Sequence, residues 1–174
     1  MNIPILETER LLLRPLTLED AEAVFKWVSD ERVTKYMPYS TYTSVENVRK
    51  WLSTVGNEES TYNYGFVLRD NNLLIGSGDI GYNSEKETWD FGYNLRFDSW
   101  NLGYATEATK AMISFVFKEF DARCFSANHA MDNPASGRVM EKCGLKFEHV
   151  GEYSKFDGSQ TFKAKYYSGV INTI

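Results

Sequence analysis

Trp100-Asn101-Leu102-Gly103-Tyr104-Ala105-Thr106-Glu107-Ala108 joins a strand-like run, Trp89-Asp90-Phe91-Gly92-Tyr93, to the longest helical pattern of the chain. That pattern runs from near Ala105 to Glu119, with Ala108, Met112, Phe115 and Val116 on one side. At a helix start, successive amides lack an intrahelical acceptor and lie at the positive end of the helix dipole, so such a turn can hold an anion. Gly103 and Ala105 lack bulk, so phosphate oxygens can reach those amides; Thr106 adds a hydroxyl, and Glu107 suits the first turn. The same residues also suit a tight connection with an ordinary cap.

Upstream, Arg10 to Pro15 reads as a short strand. A helix follows from Leu18 to about Ser29, capped by Thr17, with Ala21, Val24, Phe25 and Val28 recurring on one face. Ser44 caps a second helix, Val45 to Val55. Between the two helices lies the aromatic segment Tyr36 to Tyr42, which Pro38 keeps from being helical. Phe66-Val67-Leu68, Leu73-Leu74-Ile75 and Trp89 to Tyr93, separated by Asp70-Asn71-Asn72 and by residues 83–86, predict a three-stranded antiparallel meander. Downstream, Arg123 to Ala130 reads as a strand and Ala135 to Lys142 as a helix ended by Gly144. Phe147 to Tyr153 and Thr161 to Tyr167 read as the last two strands. This order implies one α+β domain spanning residues 1–174 around a mixed sheet.

The chain has 174 residues, 19 basic and 24 acidic, for a formal net charge of −5, and 43% of it is hydrophobic. One core fits that length, and the acidic balance disfavours a nucleic-acid partner. No run approaches the roughly 18 apolar residues of a membrane helix, and Met1 to Arg10 lacks a signal-peptide pattern, so a cytoplasmic protein with no membrane partner is expected. Cys124 and Cys143 stand apart, without a CxxC or a histidine at ligand spacing, so no metal site is read and both are expected to be reduced core residues. His129 and His149 are likewise isolated.

Gly76-Ser77-Gly78-Asp79-Ile80-Gly81 matches the G-x-G-x-x-G dinucleotide pattern, but that pattern needs a helix opening within it. Turn residues follow instead, so the run is read as a glycine-rich, bulged strand of the meander.

The Gly103 turn resembles the acetyl-CoA pyrophosphate loop of the GCN5-related N-acetyltransferases (GNAT), usually Gln/Arg-x-x-Gly-x-Gly/Ala. Trp100 replaces the Gln or Arg, as in the branch resembling ribosomal-protein N-terminal (Rim-type) acetyltransferases. Glu9 to Pro15 resembles that branch's first strand. Asn128 to Leu145 resembles the family's Asn-x-x-Ser segment and its Glu-Lys-x-Gly-Phe, with Leu145 for Phe. The resemblance implies a mostly antiparallel sheet of about seven strands with about four helices. It also implies acetyl-CoA as co-substrate, without a metal, and transfer of acetyl to a primary amine by direct attack.

The resemblance assigns residues as follows. Tyr93, Asn94 and Leu95 receive the pantetheine arm as an added strand; Asn101, Leu102, Gly103, Tyr104, Ala105 and Thr106 hold the pyrophosphate. Asn133 binds the arm's amides or caps the next helix. Arg138 and Lys142, four apart on that helix, reach cofactor phosphates or form a solvated face. Asp90 is the expected proton acceptor, through a water. Ser136 is the expected donor to the thiolate, with Tyr104 and Tyr93 in reserve. Segments Tyr36 to Tyr42 and Tyr153 to Tyr167 flank the acceptor, a peptide N-terminus or a small molecule, or else serve packing or a homodimer contact. A non-catalytic acyl-CoA sensor would need the same loop but neither Asp90 nor Ser136.

Overall fold

The computed structural model describes residues 3–56 and 60–174. Its strands are β1 (Leu6–Glu7), β2 (Leu11–Arg14), β3 (Thr61–Leu68), β4 (Leu74–Asn83), β5 (Thr88–Leu95), β6 (Cys124–Ala130), β7 (Lys146–Ser154) and β8 (Thr161–Val170). The helices are α1 (Ala21–Val28), α2 (Glu31–Thr34), α3 (Val45–Leu52), α4 (Tyr104–Phe120) and α5 (Pro134–Lys142). One sheet of eight strands in the order β1-β2-β3-β4-β5-β6-β8-β7 forms the centre. All its pairs are antiparallel except β5 with β6.

Side-chain alternation splits the core between the two faces of this sheet. On one face Leu11, Leu13, Tyr62, Tyr64, Phe66, Ile80 and Phe91 pack against Ala108, Met112 and Val116 of α4 and Met140 of α5. On the other, Val67 and Leu74 meet Ala21, Val24, Trp27 and Val28 of α1 and Val48 and Leu52 of α3. The meander is present with longer strands than its apolar runs suggest, because Thr61 to Gly65 and Gly76 to Asn83 also join the ladder. The glycine run is a strand, and its irregularity precedes it: Phe66 pairs with Gly76 and Val67 with Leu74, leaving Ile75 as the extra residue.

Several local expectations change. The sheet has eight strands because two-residue β1 joins β2, and a fifth helix, the single turn α2, follows Asp30. The turn Leu18–Asp20 that leads into α1 opens with a capping box, in which the Thr17 side chain accepts from the Asp20 amide as expected and the Asp20 carboxylate accepts the Thr17 amide at 2.8 Å while pairing with Arg14. Ser44 caps α3 as expected, accepting from Asn47 N–H at 3.3 Å. Gly144 follows α5 with φ 94°, the left-handed turn that ends a helix there. Cys143 is buried but Cys124 is exposed, since the alternation of β6 turns Phe125 rather than Cys124 toward the core.

Candidate active site

The parallel pair β5 and β6 is bonded only at Trp89 with Phe125 and Asp90 with Ser126. Past that point the two strands diverge, while β6 stays paired to β8 through Ala130. Arg96 N–H donates to Ile75 C=O across β4, so by strand alternation the N–H groups of Tyr93 and Leu95 point the other way, into the gap. An unpaired strand edge inside a sheet is a template for an extended, amide-bearing ligand.

Asp90 stands at the apex of this gap. Its Oδ1 accepts from Thr88 Oγ1 at 3.0 Å and from Ser126 Oγ, and its Oδ2 accepts from Asn83 Nδ2 at 3.0 Å, with Lys86 Nζ at 3.9 Å. These bonds tie β5 to β6 where their pairing ends.

Across the gap, Tyr93 Oη lies 2.9 Å from Ser136 C=O and 2.9 Å from Ser136 Oγ on α5. Burial holds the Tyr93 phenol well above its ordinary value, although the Ser136 hydrogen bond pulls it down, so the phenol keeps its proton. The structure thus brings Tyr93 and Ser136 together and leaves Tyr104 apart, under the Arg10 guanidinium at 4.5 Å. Asn133, at the N-cap of α5, makes no side-chain cap bond, although its backbone is held by Ala130 C=O at 2.8 Å.

The Gly103 loop lies at the start of α4. Asn101 and Gly103 adopt φ 60° and 85°, and the first ladder bond runs from Glu107 N–H to Gly103 C=O at 3.0 Å. The amides of Tyr104, Ala105 and Thr106 therefore precede the helix ladder. A residue that sequence reading missed holds the loop: Arg10 Nη1 donates to Leu102 C=O at 2.9 Å and Arg10 Nε to Glu107 Oε2 at 2.7 Å. Glu107 also accepts Thr8 Oγ1 and the Arg10 amide. Burial alone would raise the Glu107 carboxyl, but these hydrogen bonds outweigh it and hold it below its ordinary value. Trp100 acquires a reason too, since its indole N–H donates to Leu95 C=O at 2.9 Å and fixes the end of β5.

A depression of about 370 Å³ opens beside this loop, lined by Glu9, Gly103, Thr106, Glu107, Lys110 and Lys142. Lys142 reaches it from α5, whereas Arg138 is exposed and outside that lining. Lys110 lies one turn after Thr106, an i+4 spacing that the sequence displays and that the expectations above leave out.

The two aromatic segments meet on the other side of the molecule. Lys155 Nζ donates to Thr34, Met37 and Tyr39 C=O at 2.9, 3.0 and 3.1 Å, Phe156 N–H to Pro38 C=O at 2.7 Å, and Tyr153 Oη to Tyr36 C=O at 2.6 Å. The tip of the β7–β8 hairpin is thereby fastened over segment 34–42.

A splayed parallel pair thus lies beside a helix start with open amides, and Lys110 and Lys142 line the depression next to it, an arrangement suited to an extended, anionic ligand. The family profile described as "Acetyltransferase (GNAT) domain" matches residues 10–146, and the chain belongs to that family. It is 30% identical to the uncharacterized N-acetyltransferase YoaA of Bacillus subtilis, over 95% of this chain and 96% of that protein. A GNAT-family acetyltransferase structure from Bacillus anthracis superposes with TM-score 0.83 at 28% identity, covering 96% of this chain and 98% of the other. RimL, a ribosomal L7/L12 alpha-N-protein acetyltransferase solved with coenzyme A, shares the fold at TM-score 0.82 and 18% identity, covering 97% and 98%. The protein is an N-acetyltransferase.

Proposed function

We propose that the protein transfers acetyl from acetyl-CoA to a primary amine in the cytoplasm, and that the acceptor is a peptide N-terminus or a small amine. The observation that carries this reading is the bare inner edge of β5, where the Tyr93 and Leu95 amides face a gap bounded by α4 and α5. The pantetheine arm would lie along that edge with the Asn133 amide beside it. The pyrophosphate would sit on the amides of residues 101–106, with Lys110 and Lys142 nearby to offset its charge. With the arm so placed, the Leu95 amide stabilises charge developing on the thioester oxygen.

Direct attack needs a neutral amine and a proton for the leaving sulfur. Asp90 is read as the proton acceptor through an ordered water. Ser136 is read as the donor to the thiolate: its hydroxyl passes a proton to sulfur and is resupplied by the Tyr93 phenol at 2.9 Å. Tyr104 serves the loop rather than the sulfur, since it packs against Arg10. Resemblance of the fold to an alpha-N-protein acetyltransferase supports a peptide N-terminus, and the aromatic walls Tyr36 to Tyr42 and Tyr153 to Tyr167 suit either acceptor.

The test is a panel of butylamine, 1,4-diaminobutane, a lysine ester and short peptides differing in their first residue, with released thiol as readout and acetyl-CoA affinity measured by calorimetry. Transfer to any of them with micromolar acetyl-CoA binding is the expected result. Tight binding without transfer to any amine would leave an acyl-CoA sensor, and no binding would overturn the site.

A further inference from the structure

We infer that the buried imidazole of His129 is a positioning residue, which sets the turn carrying Asn133 and Ser136 to the gap and so aims the Ser136 hydroxyl at the departing sulfur. The inference rests on the acetyl-transfer reading above, in which Ser136 donates to the thiolate. His129 is only 5% exposed, and that mechanism gives it no part.

Strand alternation puts His129 on the same side of β6 as the core residues Phe125 and Ala127, and α5 lies directly over it. A Cβ on Gly137 would stand 2.6 Å from its Nε2, so only a glycine lets the helix come down onto the ring. The ring also packs on Tyr167 of β8, with centroids 5.5 Å apart. Nδ1 lies 2.7 Å from Ala130 C=O, an oxygen that can only accept, so Nδ1 carries a hydrogen and donates it. Nε2 is turned to the helix and meets no polar partner among the described residues.

β6 ends at Ala130. Met131 N–H donates to Lys163 C=O next to β8, so by alternation Ala130 C=O points the other way, toward the gap. There it takes two donors, His129 Nδ1–H and Asn133 N–H at 2.8 Å. Donor directions at a carbonyl are broadly distributed, so one donor leaves the turn free to swing and a second removes most of that freedom. From Asn133 the series continues to the site: its C=O accepts Ser136 N–H at 3.2 Å, and Ser136 Oγ lies 2.9 Å from Tyr93 Oη. A line of hydrogen bonds thus runs from a ring wedged between β8 and α5 to the hydroxyl read as the donor. Because Nδ1 is committed to Ala130 and Nε2 lies under α5, the imidazole acts through this turn and not on the sulfur itself. The leverage is large, since a displacement of about 1 Å in a reacting group can cost about 10²-fold in rate.

The test compares His129→Leu, which nearly keeps the volume of the ring but has no donor, with His129→Asn, which is smaller but places an amide N–H where Nδ1 stands. With the best acceptor of the amine and peptide panel, His129→Leu should lower kcat about tenfold. Acetyl-CoA affinity and the amine KM should stay within a factor of about three, because the β5 edge and the amides of residues 101–106 are untouched. His129→Asn should recover most of kcat although, by leaving a cavity, it should melt below His129→Leu. A ring that only fills space would instead make kcat follow the melting temperature. In a Ser136→Ala background, His129→Leu should slow turnover no further, because the two act in one line. Should His129→Leu fail to fold, Gly137→Ala lifts α5 from an intact imidazole and should lower kcat in the same way; an unchanged kcat there counts against the inference equally. Full kcat in folded His129→Leu, kcat values that follow the melting temperatures, or a further loss in the Ser136→Ala background overturns this inference and leaves acetyl transfer standing. A wild type that acetylates nothing in the panel overturns both.

Discussion

Replacing Tyr93 by Phe removes a single oxygen, the one that joins β5 to α5 across the gap at 2.9 Å from both Ser136 C=O and Ser136 Oγ. A neutral hydrogen bond of this kind contributes about 1 kcal/mol net, and Ser136 lies on a helix start where water can replace the lost partner, so the stability cost is about 1 kcal/mol. For a chain of this size that lowers the melting temperature by about 2–4 °C. The effect on chemistry should be larger. The sulfur carries its charge only as the bond breaks, so a proton donor acts on kcat rather than on acetyl-CoA binding, and its loss should slow turnover about 10²-fold. Burial keeps the phenol protonated, so the deficit should be constant from about pH 6 to pH 9. Ser136→Ala should show a similar deficit, the double variant should be no worse than either because the two act in one chain, and Tyr104→Phe should be close to wild type. The assay is steady-state thiol release with a calorimetric acetyl-CoA titration for each variant. A Tyr93→Phe enzyme that melts lower but turns over at the wild-type rate would make the pair a brace only. A deficit confined to Tyr104→Phe would move the donor to that residue.

Asp90→Asn should slow transfer about 10²-fold at neutral pH with little change in acetyl-CoA affinity, and the deficit should shrink as rising pH deprotonates the amine unaided; equal rates at every pH would remove Asp90 from proton transfer. Gly103→Ala imposes a side chain on a φ of 85° and sets a Cβ 3.2 Å from Arg10 Nη2, so it should cost about 1–2 kcal/mol of stability as well as weakening acetyl-CoA binding about tenfold. A bulkier residue there would strain the loop itself, and unchanged affinity by calorimetry in the folded Ala variant would place the pyrophosphate elsewhere. The Glu107 carboxyl is held below its ordinary value in the folded chain, so its contribution is present above about pH 4.3 and is lost as pH falls through the depressed folded value. Glu107→Gln should therefore flatten the acid side of a stability-against-pH curve, and an identical acid limb in urea titrations would show the Arg10 clamp to be idle.

Local pattern alone determined much of this protein. The spacing of Ala108, Met112 and Val116 requires a helix with one buried face, and Gly103 before it marks a start whose amides are open. The Asn-rich turns set the antiparallel meander, and Gly144 ends α5, because turn and cap conformations depend on the few residues that adopt them. With the downstream Asn128 to Leu145 segment, these carry the family resemblance in the sequence itself. Tertiary structure decided the rest. The divergence of β5 from β6 after Asp90 is a property of the sheet, since nothing in either strand's own alternation tells which neighbour will leave its edge. Arg10 and Glu107 meet across 97 residues, and Lys155 meets Met37 across 118, so no local period encodes either clamp. Local propensity depends on a residue and its near neighbours, whereas strand partners and long-range ion pairs are set by how all the elements bury their apolar faces at once.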